Sequence, residues 1–344
     1  MKKVPSGLLP ALELDGKLYT ESATIAMLLE ESFPEHNPLL PPQGDPERKA
    51  AEVLMKLERQ LFGAWMQWLT SNWMDGANRM AFERALGQVE KALGMTPGPF
   101  FLGGGFSLVD IIFAPFLERM VASLLYYKGY RMRNNSKWPH VERWFKAMEE
   151  RPTYMGTKSD FYTHAHDLPP QLGGCASNKD SKPYQDWIDG KAWEFPLQPI
   201  TDDSLEPGWP EDPQVDALEA ATRILENKDA IIRFALRGCG EPGARPVWAE
   251  LSDPTAVSAV EYQPEFDAAL RYVVLALLEG VEKVQSSEHA LSLADGGEGR
   301  RVDPVLASAR YLQLRVGVPR DMSFPAARQL RAHLHWLMSQ LQDA

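Results

Sequence analysis

Four residues near the start of the chain have the types and spacing to grip a small peptide-like ligand: Leu9, Pro10, Glu21 and Ser22. A proline that enters a strand in the cis form turns the preceding backbone outward, so the N–H and C=O of Leu9 can meet a ligand as an added strand would. Ser22 offers a hydroxyl and a backbone N–H at a helix start, where the dipole favours an anion, while Glu21 offers a carboxylate to an ammonium. Taken alone, Glu-Ser is a common dipeptide whose plain role is to cap a helix. Here Leu12, Leu14, Leu18 and Tyr19 surround Asp15-Gly16, a two-residue hairpin turn whose central positions want positive φ. Two short antiparallel strands are expected. Ile25, Ala26, Leu28 and Leu29 then fall at helical spacing and predict a helix starting at Ser22, with Ser22 as its cap.

This strand–hairpin–helix stretch resembles the second half of the thioredoxin-like domain of the glutathione S-transferases. In that family a proline after a small apolar residue opens the third strand, here Leu9-Pro10, and Glu-Ser opens the third helix, here Glu21-Ser22. The resemblance implies that Leu9, Pro10, Glu21 and Ser22 bind glutathione as co-substrate, with Glu21 and Ser22 on the charged ends of its γ-glutamyl group. It also implies an earlier strand–helix–strand block carrying the residue that activates the glutathione thiol. Only nine residues precede Pro10, whereas a βαβ unit needs roughly 30, so no catalytic Ser, Cys or Tyr is assigned. Two explanations stand: a shortened version of a longer product, or a scaffold that has lost catalysis and serves to dock. In either case the hairpin leaves a sheet edge unpaired, and a protein partner or a second copy of the chain is expected to cover it.

Phe33 to Gly44 holds four prolines and reads as an interdomain linker, ending at a helix start with Asp45 as cap and Pro46 at the first position. Val53, Leu54, Leu57, Leu61, Trp65, Trp68 and Leu69 give one long amphipathic helix, and Met80 to Leu93 a second that forms an antiparallel hairpin with it. Ser107 and Asp110 form a capping box, with Phe106 and Ile111 placed as a hydrophobic staple. The same Ser/Thr-x-x-Asp box opens the central helix of the all-helical domain of glutathione S-transferases, and its role is structural. Trp138 to Pro152 resembles that domain's closing helix, so the resemblance covers about residues 1 to 160. Tyr126, Tyr127, Tyr130, Arg131 and Arg133 lie where the family often borders its electrophile site; by themselves they read as surface residues of a helix end.

A net charge of −11 argues against nucleic acid, whose binding needs a basic face. Cys175 and Cys239 stand alone, which indicates neither a disulfide framework nor a zinc site, and a reducing compartment fits. His164 and His166 have no third ligand at helical spacing, and His333 and His335 point to different helix faces, so no metal is expected. With no apolar run of about 18 residues and no signal h-region, no membrane span or secretion is expected; the cytoplasm or an organelle, a plastid included, is. Residues 168 to 212 are rich in Pro, Asp and Trp with little periodicity and read as a connector. Beyond it, Val215 to Leu236, Phe266 to Leu278, Pro304 to Val316 and Pro325 to Leu341 read as four helices of a small bundle. The stretch from Gly280 to Arg301, with Gly297 and Gly299, reads as a polar loop without the GK[ST] of a P-loop. Arg315 to Met322 reads as a helix–helix corner closed by an Arg–Asp pair.

The expected architecture is therefore mostly α: a partial thioredoxin-like hairpin–helix remnant (1–35), an all-helical glutathione S-transferase C-terminal domain (44–165), an extended connector (166–212) and an additional helical domain (213–344). The expected function is glutathione binding with thiol transfer to an electrophile or disulfide. The alternative is a non-catalytic subunit of a larger assembly.

Overall fold

The structure, a computed structural model, describes residue 4, residue 7 and residues 9–243, 251–286 and 302–343. The polar loop read up to Arg301, with Gly297 and Gly299, lies outside the described residues from position 287. The chain is mostly helical, and among the described residues its one sheet is the hairpin of β1 (Ala11–Leu14) and β2 (Lys17–Thr20). The chain falls into two compact units, Met1–Met120 with Asn135–Met148, and Val121–Asn134 with Glu149–Ala344.

In the first unit β1 pairs antiparallel with β2, from Leu14 opposite Lys17 to Ala11 opposite Thr20. Asp15 (φ 51) and Gly16 (φ 73) supply the two positive φ values that such a turn demands. Helix α1 (Ser22–Ser32) follows, then the proline-rich linker, then α2 (Pro46–Leu69). Asp45 caps α2 by accepting the Glu47 N–H at 2.8 Å, with Pro46 at a position where no N–H is needed. Helix α3 (Asp75–Leu93) starts five residues before the Met80 read from periodicity, because Asp75 fastens its first turn by accepting the Trp68 indole N–H at 2.8 Å. Trp65 and Trp68 of α2 and Phe82, Leu86 and Val89 of α3 are fully buried. Helix α4 (Leu108–Lys128) begins in this unit, and α5 (Pro139–Glu149) closes it. The α5 N-terminus is capped from outside: the Glu90 carboxylate accepts the N–H of His140 at 2.8 Å and of Val141 at 2.9 Å.

The second unit contains the end of α4 and the helices α6 (Pro152–Met155), α7 (Phe161–Leu172), α8 (Lys182–Ile188), α9 (Pro213–Glu226), α10 (Lys228–Ala235), α11 (Gln263–Glu279), α12 (Val281–Gln285), α13 (Val302–Gln313) and α14 (Phe324–Asp343). The stretch read as one helix from Val215 to Leu236 is two, because Asn227 (φ −115) leaves the helical path and its side-chain amide takes the Arg223 carbonyl at 3.0 Å. Ala220, Ile224, Phe266, Val273, Val305, Ala309, Leu334 and Leu337 form the core of this bundle. The corner between α13 and α14 is closed by Asp321, which accepts the Gly317 N–H at 2.7 Å and the Arg320 guanidinium at 2.7 Å.

The segment before α9, read as a connector of little periodicity, has a fixed course. It holds α8, and from Phe195 to Asp212 it is a belt fastened by its carbonyls and carboxylates. Arg328 donates to Gln198 O at 2.7 Å and pairs with Glu211 at 3.0 Å, and Arg131 donates to Asp203 O at 2.7 Å. Lys158 donates to Pro207 O at 3.3 Å and Gly208 O at 3.2 Å. Trp209 is buried 4.4 Å from the Lys158 ammonium and 5.5 Å from the Phe324 ring.

Candidate functional site

The hairpin places the four residues singled out from the sequence, Leu9, Pro10, Glu21 and Ser22, at one end. Ala11 stands opposite Thr20, so Leu9 and Pro10, which lead into β1, and Glu21 and Ser22, which follow β2, lie at the same end of the hairpin. The Leu9–Pro10 peptide bond is cis, and Leu9 is 84% exposed. Glu21 has φ 73 and ψ 111, a region that costs a residue with a side chain of order 1–3 kcal/mol and that clusters at ligand sites. Glu21, not Ser22, occupies the N-cap position. The left-handed turn at Glu21 makes Ser22 the first helical residue, so its hydroxyl is exposed at the first turn instead of being consumed as a cap. The Glu21 side chain makes no capping bond either. A carboxylate and a hydroxyl thus stand side by side in solvent, at a helix end whose first N–H groups have no partner within the helix.

Ser107 and Asp110 sit elsewhere in the first unit, with exposures of 4% and 0%. Asp110 accepts the Ser107 N–H at 2.9 Å, the Ser107 hydroxyl at 2.7 Å, the Trp144 indole N–H at 2.9 Å and the Phe101 N–H at 3.2 Å. Burial pushes this carboxyl up from its ordinary range against the pull of those four donors. All its acceptor capacity is used inside the protein, which makes it a joint between the start of α4, the preceding loop and α5.

Two clusters in the second unit were missed by sequence reasoning. In the first, Asp189 accepts the Tyr126 phenol at 3.1 Å and lies 3.0 Å from His166 Nε2, and the Tyr162 ring packs on His166 at 4.3 Å. His166 therefore does have a carboxylate partner, 23 positions away and so invisible to local spacing. Burial raises the Asp189 carboxyl, but its bonds and charge interactions with His166 and Lys191 outweigh that and hold it low. Burial, then the Asp189 charge, keeps the Tyr126 phenol protonated. In the second cluster Arg331 donates to Asp160 at 2.5 Å, Arg133 and Lys158 each donate to Glu149 at 2.8 Å, and Glu206 accepts the Phe161 N–H at 2.9 Å. Tyr126, Tyr127, Tyr130 and Arg133 are buried, not surface residues of a helix end; the Tyr126 phenol donates to Asp189 just past α8, the Tyr127 phenol to Ala165 O of α7, and Arg133 to Glu149 of α5. Burial pushes the free thiol of Cys175 up to about 12. Among the described residues no group of three His, Cys, Asp or Glu side chains is arranged to hold a metal ion, and no helix is long and apolar enough to cross a membrane.

Residues 48–147 match the family model of the glutathione S-transferase C-terminal domain. Glutathione S-transferase DHAR2 of Arabidopsis thaliana is 28% identical over 155 residues, 45% of this chain and 67% of its own. Glutathione S-transferase L2, chloroplastic, of the same plant is 29% identical over 152 residues, 44% of this chain and 49% of its own. Among solved structures, glutathione transferase Omega 3C of Trametes versicolor is 32% identical, covering 44% of this chain and 66% of that one, with a TM-score of 0.37. The chain spans about half to two thirds of the length of these relatives. Residues 48–147 therefore carry an all-helical domain of the glutathione S-transferase C-terminal type.

Proposed function

We propose that the chain binds glutathione at the open end of the hairpin, and that the protein transfers the glutathione thiol to an electrophile or a disulfide. Leu9 presents its backbone to the peptide, Glu21 takes the γ-glutamyl ammonium, and Ser22 with the α1 N-terminus takes the γ-glutamyl carboxylate. Pro10 holds the strand entry. The observation that carries the reading is the position of these four residues at the same end of the hairpin, with Glu21 held at φ 73 and Ser22 exposed beside it. In the transfer, the glutathione thiolate forms a bond to carbon or sulfur while the acceptor's leaving group departs with the bonding electron pair. The 1–35, 44–165, 166–212 and 213–344 domain division belongs to the same proposal. So does a plastid location, supported by the chloroplastic relative.

A second reading, a docking subunit or a homodimer, is favoured by the two-stranded sheet, whose outer N–H and C=O groups offer an edge to another strand. Calorimetry with glutathione separates the two. Binding by the wild type that weakens at least about tenfold in both Ser22→Ala and Glu21→Ala is the expected result. A wild-type chain that takes up no glutathione would remove the transferase reading and leave docking.

A further inference from the structure

The proposed grip lies at one end of α1, and the shortest bonds at the other end are made by the Glu30 carboxylate, with Glu31 adding a longer ion pair. Glu30 sits eight residues after Ser22, about 12 Å along the helix. Its Oε1 accepts the N–H of Leu39 at 2.6 Å and of Leu40 at 2.7 Å, both in the linker. The Leu39 carbonyl in turn accepts the N–H of Leu108 at 2.9 Å, the first residue of α4, directly after the Ser107–Asp110 joint. From the far side Arg48 at the start of α2, 5% exposed, donates to Pro41 O at 3.4 Å and pairs with Glu31 at 3.6 Å. The carboxylate thereby ties α1, through the linker, to the buried frame of the helical unit.

Apolar packing does little of this work. Ile25 is the one buried residue of α1; Ala26, Met27 and Leu28 are half-buried, and Leu29 is 39% exposed. A helix packed through so small an apolar face can roll or tilt unless polar bonds hold it, and hydrogen bonds to an ionised acceptor are among the stronger ones. A tilt pivoting near Ile25 moves Glu21 and Ser22 relative to Leu9 and Pro10, which belong to the strand.

We propose that Glu30 is a positioning residue for glutathione binding: it touches no ligand, and it sets the angle of α1 that brings Glu21 and Ser22 into register with Leu9. The inference rests on the reading of that end as a glutathione site. Glutathione calorimetry on wild type, Glu30→Ala, Glu30→Gln and Ser22→Ala tests it, together with amide hydrogen exchange of the same chains without ligand. Glu30→Ala is expected to weaken binding about tenfold and to speed exchange both at Leu39 and Leu40 and at the first turn of α1. Glu30→Gln, whose amide oxygen accepts the same two N–H groups, is expected to restore both readouts to within about twofold of wild type. Wild-type affinity in Glu30→Ala, alongside lost affinity in Ser22→Ala, overturns the positioning role and leaves the glutathione reading standing. Faster exchange confined to Leu39 and Leu40, with the α1 N-terminus unchanged, overturns it whether or not glutathione binds.

Discussion

Replacing Asp160 by Asn tests how the buried charges of the second unit share their load. Asp160 is 0% exposed; one of its oxygens caps α7 by accepting the Thr163 N–H at 3.0 Å, and the other takes Arg331 at 2.5 Å. Asparagine is as good an N-cap as aspartate, so the substitution keeps the cap and removes the charge. Breaking a buried ion pair by removing one partner typically costs about 3–5 kcal/mol. The loss should be smaller here, because Glu206, 2% exposed and bonded to the neighbouring Phe161 N–H, is positioned to take over. Its carboxyl is held well above the ordinary carboxylate range, first by burial and then by the Asp160 charge. In the wild type the folded state keeps this proton where the unfolded chain has lost it, so stability falls as pH rises above about 4.5, until the folded group ionises. In Asp160→Asn the repulsion is gone, Glu206 ionises at lower pH beside Arg331, and that decline ends earlier. The expected order of losses at pH 7 is small for Glu206→Gln, intermediate for Asp160→Asn, and about 3–5 kcal/mol for the double variant. Urea unfolding with exchange read at the amides of α7 assigns the losses to this unit. If Glu206→Gln alone cost as much as the double variant, Glu206 would be an ionised partner in the native protein and the reasoning would fail.

Two further outcomes follow from the same unit. Gly208 has φ +77, and an added Cβ would fall on the Glu149 carboxylate that Arg133 and Lys158 share, so Gly208→Ala is expected to destabilise by more than about 2 kcal/mol in thermal or urea unfolding; a neutral result would mean that the belt can shift there at little cost. Asp216, pushed up to about 6 mainly by burial, keeps its proton in the folded state while the unfolded carboxyl loses it near 3.8, so its contribution to stability declines between those pH values. Asp216→Asn should flatten that part of the pH–stability curve, and an unchanged slope would exclude Asp216 as its source.

What could be read from the residues alone was what is settled within a few positions. Asp15-Gly16 specifies its turn by the φ values it tolerates, Asp45-Pro46 opens α2 through one local bond and one missing N–H, and Ser107 with Asp110 opens α4 across three residues. The placement of the α2 cap and the α4 joint follows from these short-range needs whatever the rest of the chain does. At α1 the start at Ser22 is legible, but the cap is not: the N-cap position falls on Glu21, through its backbone and without a side-chain bond.

What could not be read depends on partners far apart in sequence. Tyr126 meets Asp189 across 63 positions, and Arg331 meets Asp160 across 171. No periodicity marks a tyrosine or arginine for burial, because the carboxylate that permits it lies on another element. The belt from Phe195 to Asp212 shows the consequence. Its few large apolar side chains give no helical or strand pattern, yet Arg131, Lys158 and Arg328 each place a donor on one of its carbonyls. Those cations are long side chains that would sit in water on an isolated segment. Within this unit Lys158 and Arg328 are held by Glu149 and Glu211 and by the belt itself, so the order of the belt and the burial of these two cations are one event. A buried cation with a geometrically fixed set of acceptors tolerates few alternative paths for the backbone that supplies them. The charge network therefore selects the course of the belt more than it adds to the stability of the fold, which is the role best supported for buried ion pairs in general.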